Sequence, residues 1–131
     1  MLMALDVGER RIGVALADLG VKIAVPKGVV EVDGTEIDAI CELVRENAVK
    51  ELVIGLPRGS DGGLTKQSEY VQGFVARLPD MGIKVVYQDE SLTSVKAEEY
   101  LGASKKPYSK GDVDARAAAI ILQDYLEEVS R

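Results

Sequence analysis

Three acidic positions stand where a chain could gather carboxylates. Asp6 follows the apolar run Met3-Ala4-Leu5 and precedes Val7-Gly8. Far along the chain, Asp89-Glu90 closes a second apolar run, Val85-Val86-Tyr87. Asp114 opens an alanine-rich stretch near the C-terminus. Each acid sits at the end of a separate element, so folding can bring all three to one edge of a sheet. Mg²⁺ and Mn²⁺ prefer carboxylate and water oxygens. A pair of such ions, about 4 Å apart, activates water and stabilises the leaving oxygen in phosphodiester hydrolysis. Metal-dependent phosphodiester chemistry is the leading expectation.

What the chain lacks sharpens that expectation. It has no histidine, which excludes Ser-His-Asp and Cys-His catalysis and imidazole metal ligands. Acid–base work then falls to carboxylates, lysines, metal-bound water or the substrate. Cys41 is the only cysteine, so there is no intrachain disulfide or zinc cluster. It lies on the apolar stripe of an expected helix and reads as a buried core thiol. The net charge of −6 argues against a broad basic face for nucleic acid and points to a local cationic patch at most.

The remaining pattern must place the acids. The 131 residues, 47% apolar and 29% charged, suit one domain, residues 1–131, with a single core. No apolar run approaches the ~20 residues of a membrane span, and no signal-peptide layout precedes the first strand; a cytoplasmic location and no membrane partner are expected. Residues 2–7 and 11–18 read as strands joined by the turn Gly8-Glu9-Arg10. Residues 22–32 read as a third, with Pro26 implying an edge or a bulge. Thr35, with Asp38 three residues on, resembles a helix cap, and Ile37, Ile40, Cys41 and Val44 follow at helical spacing. Residues 51–56 form a strand buried on both faces. Val71, Phe74, Val75 and Leu78 stripe the next helix. Residues 83–88 are a fifth strand, 94–102 a short helix, and 112–129 a last helix with Ala118, Ile121, Leu122, Tyr125 and Val129 on one face. The order β-β-β-α-β-α-β-α-α predicts an α/β fold: a mixed five-stranded sheet flanked by helices on both faces.

On those elements the acids acquire directions. Asp6 ends its strand at a turn, beside Gly8 and Gly13, glycines that suit a tight turn or close approach of backbone to a ligand. Successive strand residues face opposite ways, so only one of Asp89 and Glu90 aims at Asp6. Asp114 precedes Ala118 by four residues and Ile121 by seven, which puts it on the helix face toward the sheet; an acid there needs a partner, and a metal would supply one. Asp112 reads as an N-cap. Arg58, Ser60 and backbone N–H groups of the glycine-rich loop after residue 56 could bind phosphate. Lys66, Lys105, Lys106, Lys110 and Arg116 are further phosphate contacts or solvated surface charges.

Four blocks in order carry a resemblance. Ala4-Leu5-Asp6-Val7-Gly8 with Arg11-Ile12-Gly13-Val14-Ala15, Val53-Ile54-Gly55-Leu56-Pro57 with Asp61-Gly62, Asp89-Glu90-Ser91-Leu92-Thr93-Ser94, and Asp114 with Ala117-Ala118-Ala119-Ile120-Ile121-Leu122 resemble the YqgF (RuvX) family over nearly the whole chain. That family's members are named as pre-16S rRNA nucleases or Holliday junction resolvases. The resemblance implies an RNase H-like fold and a nuclease active in rRNA processing. It implies Asp6, Glu90 and Asp114 as catalytic and Mg²⁺- or Mn²⁺-binding acids; from the residues themselves, Arg58, Lys110 and Arg116 are the expected substrate contacts. RNA is favoured over DNA as partner, and the protein is a monomer or a homodimer. Two positions depart from the family pattern: Ser91 stands where arginine is usual, and Lys105-Lys106-Pro107-Tyr108-Ser109-Lys110 is less basic and differently spaced than the usual cluster. A non-catalytic RNA-processing or transcription protein, or a Holliday junction resolvase, is the alternative. The turn after Asp6 also resembles the first phosphate loop of the actin and hexokinase ATPases, although 131 residues are too few for their two lobes.

Overall fold

A computed structural model describes residues 1–59, 61, 63–90 and 109–129 of the chain. The strands are β1 (Leu2–Val7), β2 (Arg11–Ala17), β3 (Ala24–Glu31), β4 (Glu51–Pro57) and β5 (Lys84–Glu90), and the described helices are α1 (Glu36–Glu46), α2 (Lys66–Arg77) and α3 (Lys110–Val129). The sheet order is β3-β2-β1-β4-β5. β1 pairs antiparallel with β2, and β2 with β3. β1, β4 and β5 run parallel. This is the expected mixed five-stranded sheet. The short helix expected over 94–102 lies outside the described residues.

Period-two alternation divides each strand between two cores. Met3, Leu5, Val7, Ile12, Val14, Leu52, Ile54 and Leu56 face one way and pack with Ile40 and Val44 of α1 and Val71 and Phe74 of α2. Leu2, Ala4, Ala15, Ala17 and Val53 face the other way, against Ala118, Ala119, Ile121, Leu122 and Leu126 of α3. A strand apolar at every position is the pattern of burial on both faces. The α3 side is built from small residues, so this helix sits close to the sheet.

The edge strand β3 accommodates Pro26 as expected. Pro26 pairs with Ala15 and Gly28 with Val14, so the register shifts by one residue at this point. Both readings of Pro26, edge and bulge, describe it.

The helix starts differ from the expected ones. Thr35 is the residue before α1, but its hydroxyl donates to Asp33 rather than accepting from the helix. Glu36 instead accepts the N–H of Gly34, and Asp33 that of Thr35. The reciprocal capping box lies at α2: Thr65 accepts from the Ser68 N–H, and the Ser68 hydroxyl accepts from the Thr65 N–H. At α3, Ser109 and Asp112 bond each other's backbone N–H in the same way. Ser109 is therefore the cap, and Asp112 supports it from the first turn. Along α3, Leu126 is buried, while Val129, expected on the apolar face, is 57% exposed. Cys41 is half-buried, not enclosed in the core. It borders an apolar hollow of about 480 Å³ with Val44, Ala48, Val49, Met81 and Ile83.

Polar ties hold α3 along its length. Gln123 accepts the N–H of Ala24, and Gln88 donates to Glu128. The Tyr125 hydroxyl donates to Glu51, which also faces the Lys84 ammonium at 3.4 Å. Burial, then the Glu51 carboxylate, pushes the Tyr125 phenol up to about 12, so it stays protonated and a donor throughout the neutral range. Tyr125→Phe is expected to lower stability by about 1–2 kcal/mol, the effect of removing one partner of a half-buried hydrogen bond; urea unfolding reads this directly, and an unchanged midpoint would mean that Glu51 is satisfied without Tyr125.

The closest approach is at Gly13. A Cβ built there would lie 1.9 Å from the carbonyl oxygen of Asp114 and 3.1 Å from the Ala115 nitrogen. Backbone cannot yield as a flexible side chain would, so any larger residue displaces the helix. Gly13→Ala is expected to cost about 2–3 kcal/mol or more through overpacking, measured by denaturant unfolding. A variant within a few tenths of a kcal/mol of the native protein would show that the first turn of α3 moves freely.

Candidate active site

Because β1, β4 and β5 are parallel, their carboxyl ends lie along one side of the sheet, where open α/β sheets bind ligands. The start of antiparallel β2 lies there too. Asp6, half-buried near the end of β1, shares the alternation of Leu2 and Ala4 and so faces α3. Its cross-strand partner is Gly13. The Asp114 carbonyl rests on that same glycine, so Asp6 and Asp114 flank one residue of β2 from two elements.

Glu90 ends β5 in register with Pro57. Position 90 has the parity of Val86, which packs toward α3, and of Gln88, which bonds Glu128 of α3; its carboxylate lies outside the described residues. Position 89 has the opposite parity. Asp89 accepts from Arg58 Nε at 3.0 Å and is 66% exposed, so this member of the acidic pair is committed elsewhere. Between the ends of β1 and β5 stands Gly55, one residue beyond the Leu5–Ile54 pair and of the parity of Val53. It leaves the face between Asp6 and position 90 free of a side chain. With strands about 4.8 Å apart and a rise of about 3.3 Å per residue, the Cα atoms of Asp6 and Glu90 stand roughly 12 Å apart.

Asp114 has a partner that the pattern of residues did not reveal. Arg11 Nε donates to Asp114 Oδ2 at 2.7 Å across 103 residues of sequence, with 28% and 25% of the two side chains exposed. The hydrogen bond to Asp114, then its charge, holds the Arg11 guanidinium above its ordinary range, and Glu31 adds to the effect. Arg11 and Asp114 border an open pocket of about 420 Å³, lined among the described residues by Gly8, Glu9, Arg10 and Gln67 as well. Gln67, in the first turn of α2, donates to the Val7 carbonyl at 3.1 Å, and the Ser68 hydroxyl donates to the Pro57 carbonyl. The start of α2 is thereby fastened to the ends of β1 and β4.

The expected site residues thus fall into two groups. Asp6, Asp114 and the backbone of Glu90 share one end of the sheet. Arg58, Lys110 and Arg116, like Asp6, are not among the described residues lining the pocket: Arg58 pairs with Asp89, Lys110 is exposed at the start of α3, and Arg116 is half-buried in that helix. Ser60, Ser91, Lys105 and Lys106 lie outside the described residues. Two glycines have roles in the fold itself. Gly13 admits the backbone of α3, and at Gly8, whose N–H donates to the Arg11 carbonyl, a Cβ would meet that oxygen at 2.7 Å. Arg11 was not foreseen because nothing local links it to Asp114. Gly55 left a faint trace, a glycine interrupting a strand otherwise apolar throughout.

The donor set suits a hard cation: carboxylate oxygens, no imidazole and no thiolate. Among the described residues, no three His, Cys, Asp or Glu side chains are clustered closely enough to hold a metal; the Glu90 carboxylate is not among them.

Comparisons with known proteins agree with this architecture. A curated protein of Synechococcus elongatus named "Putative pre-16S rRNA nuclease" is 42% identical over 131 residues, covering 96% of this chain and 88% of that protein. One of the same name from Chloroflexus aurantiacus is 43% identical over 132 residues, covering 97% and 86%. Among solved structures, Thermus thermophilus RuvC in complex with a Holliday junction substrate superposes with a TM-score of 0.57 at 14% identity, covering 99% of this chain and 96% of that one. Fowlpox virus resolvase with Holliday junction DNA gives 0.56 at 11% identity, covering 99% of both. At such identities the likeness is one of fold, and the fold is RNase H-like. The family model described as "RuvX: Holliday junction resolvase" matches residues 1–128, and the chain belongs to that family.

Proposed function

We propose that the protein is a divalent-metal-dependent nuclease that hydrolyses phosphodiester bonds of structured nucleic acid, with precursor 16S rRNA as its substrate. The observation that supports this reading is that Asp6, by strand pairing, and Asp114, by its backbone, both adjoin Gly13, at the sheet end where the backbone of β5 ends in Glu90. Asp6, Glu90 and Asp114 would hold Mg²⁺ or Mn²⁺. Such ions, when bound, lower the pKa of water and stabilise the charge developing on the leaving oxygen. Hydrolysis joins a water oxygen to phosphorus, breaks one P–O ester bond and leaves a proton on the departing oxygen. The chain's own part is positional. Gly13 and the start of α3 hold Asp114 against the sheet, Gln67 and Ser68 fix the neighbouring strand ends, and Arg10 and Arg11 bring positive charge to the pocket rim. RNA as substrate is supported by the names of the relatives, and cutting of four-way junctions by the family description.

In a cleavage screen with Mg²⁺ and Mn²⁺, precursor 16S rRNA is expected to be cut in preference to single strands, duplexes and four-way junctions. A protein that cuts only junctions would move the substrate to DNA. No cleavage of any of the four would leave a non-catalytic binding protein. Asp6→Asn, Glu90→Gln and Asp114→Asn are each expected to lose at least ~100-fold in rate with the fold retained. Asp112→Asn should stay within a few-fold of native, losing about 1 kcal/mol of stability with its helix start. Comparable rate losses at 112 and 114 would remove Asp114 from the site.

A further inference from the structure

Asp114 carries two demands. The proposed function needs it to bind a cation, yet it already has one, the Arg11 guanidinium at 2.7 Å. The geometry points to an exchange, and we propose that Arg11 is a built-in counter-cation that occupies Asp114 in the metal-free protein and gives way to the divalent ion. This inference rests on the metal-binding reading of the site and adds how that site is kept ready.

The pair is prepared by the fold. Arg11 and Gly13 lie two residues apart on the α3 face of β2, and Gly13 touches the Asp114 backbone. Neither partner has to search for the other. Arg11 uses Nε for Asp114 Oδ2, although a guanidinium has five N–H donors. Nε is one of those five, and the terminal nitrogens point the group toward further acceptors as well. Glu31 of β3 is directly opposite Arg11 in the β2–β3 register, and cross-strand partners share a face. Its charge already acts on Arg11. Arg11 therefore has two carboxylates within reach of its stem, Asp114 on one side and Glu31 on the other. Glu9 and Arg10 complete the charged rim.

Exchange between them is forced by like charge. A divalent ion on Asp114 would sit within a few ångströms of the guanidinium in a pocket open to water, and the two cations repel. As the ion enters, Arg11 moves toward Glu31. Without the ion, Arg11 keeps Asp114 from standing uncompensated beside Asp6. The protein stays folded with its acids in place, at the expense of a weaker hold on the metal.

The experiment is a Mn²⁺ titration by calorimetry at fixed ionic strength, paired with thermal melts in Mn²⁺ and in EDTA, on the native protein, Arg11→Gln, Arg11→Lys, Glu31→Gln and Asp6→Asn. Arg11→Gln is expected to bind Mn²⁺ at least ~5-fold tighter, the scale of removing one nearby charge at a partly exposed site. It should melt lower than native in EDTA and gain more from Mn²⁺. Arg11→Lys, which keeps the charge, should stay near native affinity, and Glu31→Gln, an exposed change, should bind Mn²⁺ more weakly because Arg11 loses its other partner. If Mn²⁺ binding disappears in Asp6→Asn while Arg11→Gln keeps native or weaker affinity, the exchange is wrong and the metal site stands. Absence of Mn²⁺ binding in the native protein and in every Arg11 variant overturns both. Should Arg11→Gln fail to fold, native or tighter affinity in Glu31→Gln overturns the exchange.

Discussion

At Gly13 the carbonyl oxygen of Asp114 occupies the space that a side chain would need. That contact joins two parts of the chain a hundred residues apart, and it does so backbone to backbone. It determines where α3 begins its passage across the sheet, and with it the position of Asp114 relative to Asp6, the cross-strand partner of Gly13. The alanines of α3 and of the facing strands keep the helix low along its length, and the ties at Gln123, Tyr125 and Glu128 keep it from pivoting. A bulkier interface would lift the helix start and carry Asp114 away from the strand ends. Small residues on this face thus matter for geometry more than for buried area.

The opposite face answers a different need. α1 and α2 cover it with larger side chains, Ile40, Val71 and Phe74 among them, whose burial helps hold the sheet together. α2 also fastens the strand ends, through Gln67 to β1 and Ser68 to β4. One face secures stability, and the other sets the relative position of the acids.

Much of this was legible in the sequence, because alternation and helical spacing are local. The five strands, the edge position of Pro26, the helix stripes and the burial of residues 51–56 on both faces follow from patterns a few residues long. The sheet-facing side of Asp114 was legible too, since its offset from Ala118 and Ile121 is a whole number of near-turns. Three kinds of feature were not. Caps depend on which of several competing side chains wins a given N–H, and Asp33, Glu36 and Ser109 won where Thr35 and Asp112 were expected. End effects exposed Val129 and left Cys41 half-buried at the rim of its helix. Pairing across the fold, as between Arg11 and Asp114 or Arg58 and Asp89, has no local trace, because neither partner's neighbours specify the other. The meaning of Gly13 was half legible: a glycine that permits close approach was expected, but what approaches is the protein's own helix.

Charge explains why such pairings gather at this end of the molecule. A chain with net charge −6 that brings Asp6, Asp89 and Asp114 to one end of the sheet raises the negative potential there, and nearby cations offset it. Arginine is suited to that task, since its guanidinium stays charged at any pH the fold survives and offers donors in several directions. Placed on Asp114 and on Asp89, the two arginines neutralise acids on opposite faces of the sheet end. A polynucleotide approaching an acidic protein meets repulsion everywhere except where cations compensate it. Arg10 and Arg11 line the pocket at the end of the sheet, so the repulsion of a polyanion is weakest there.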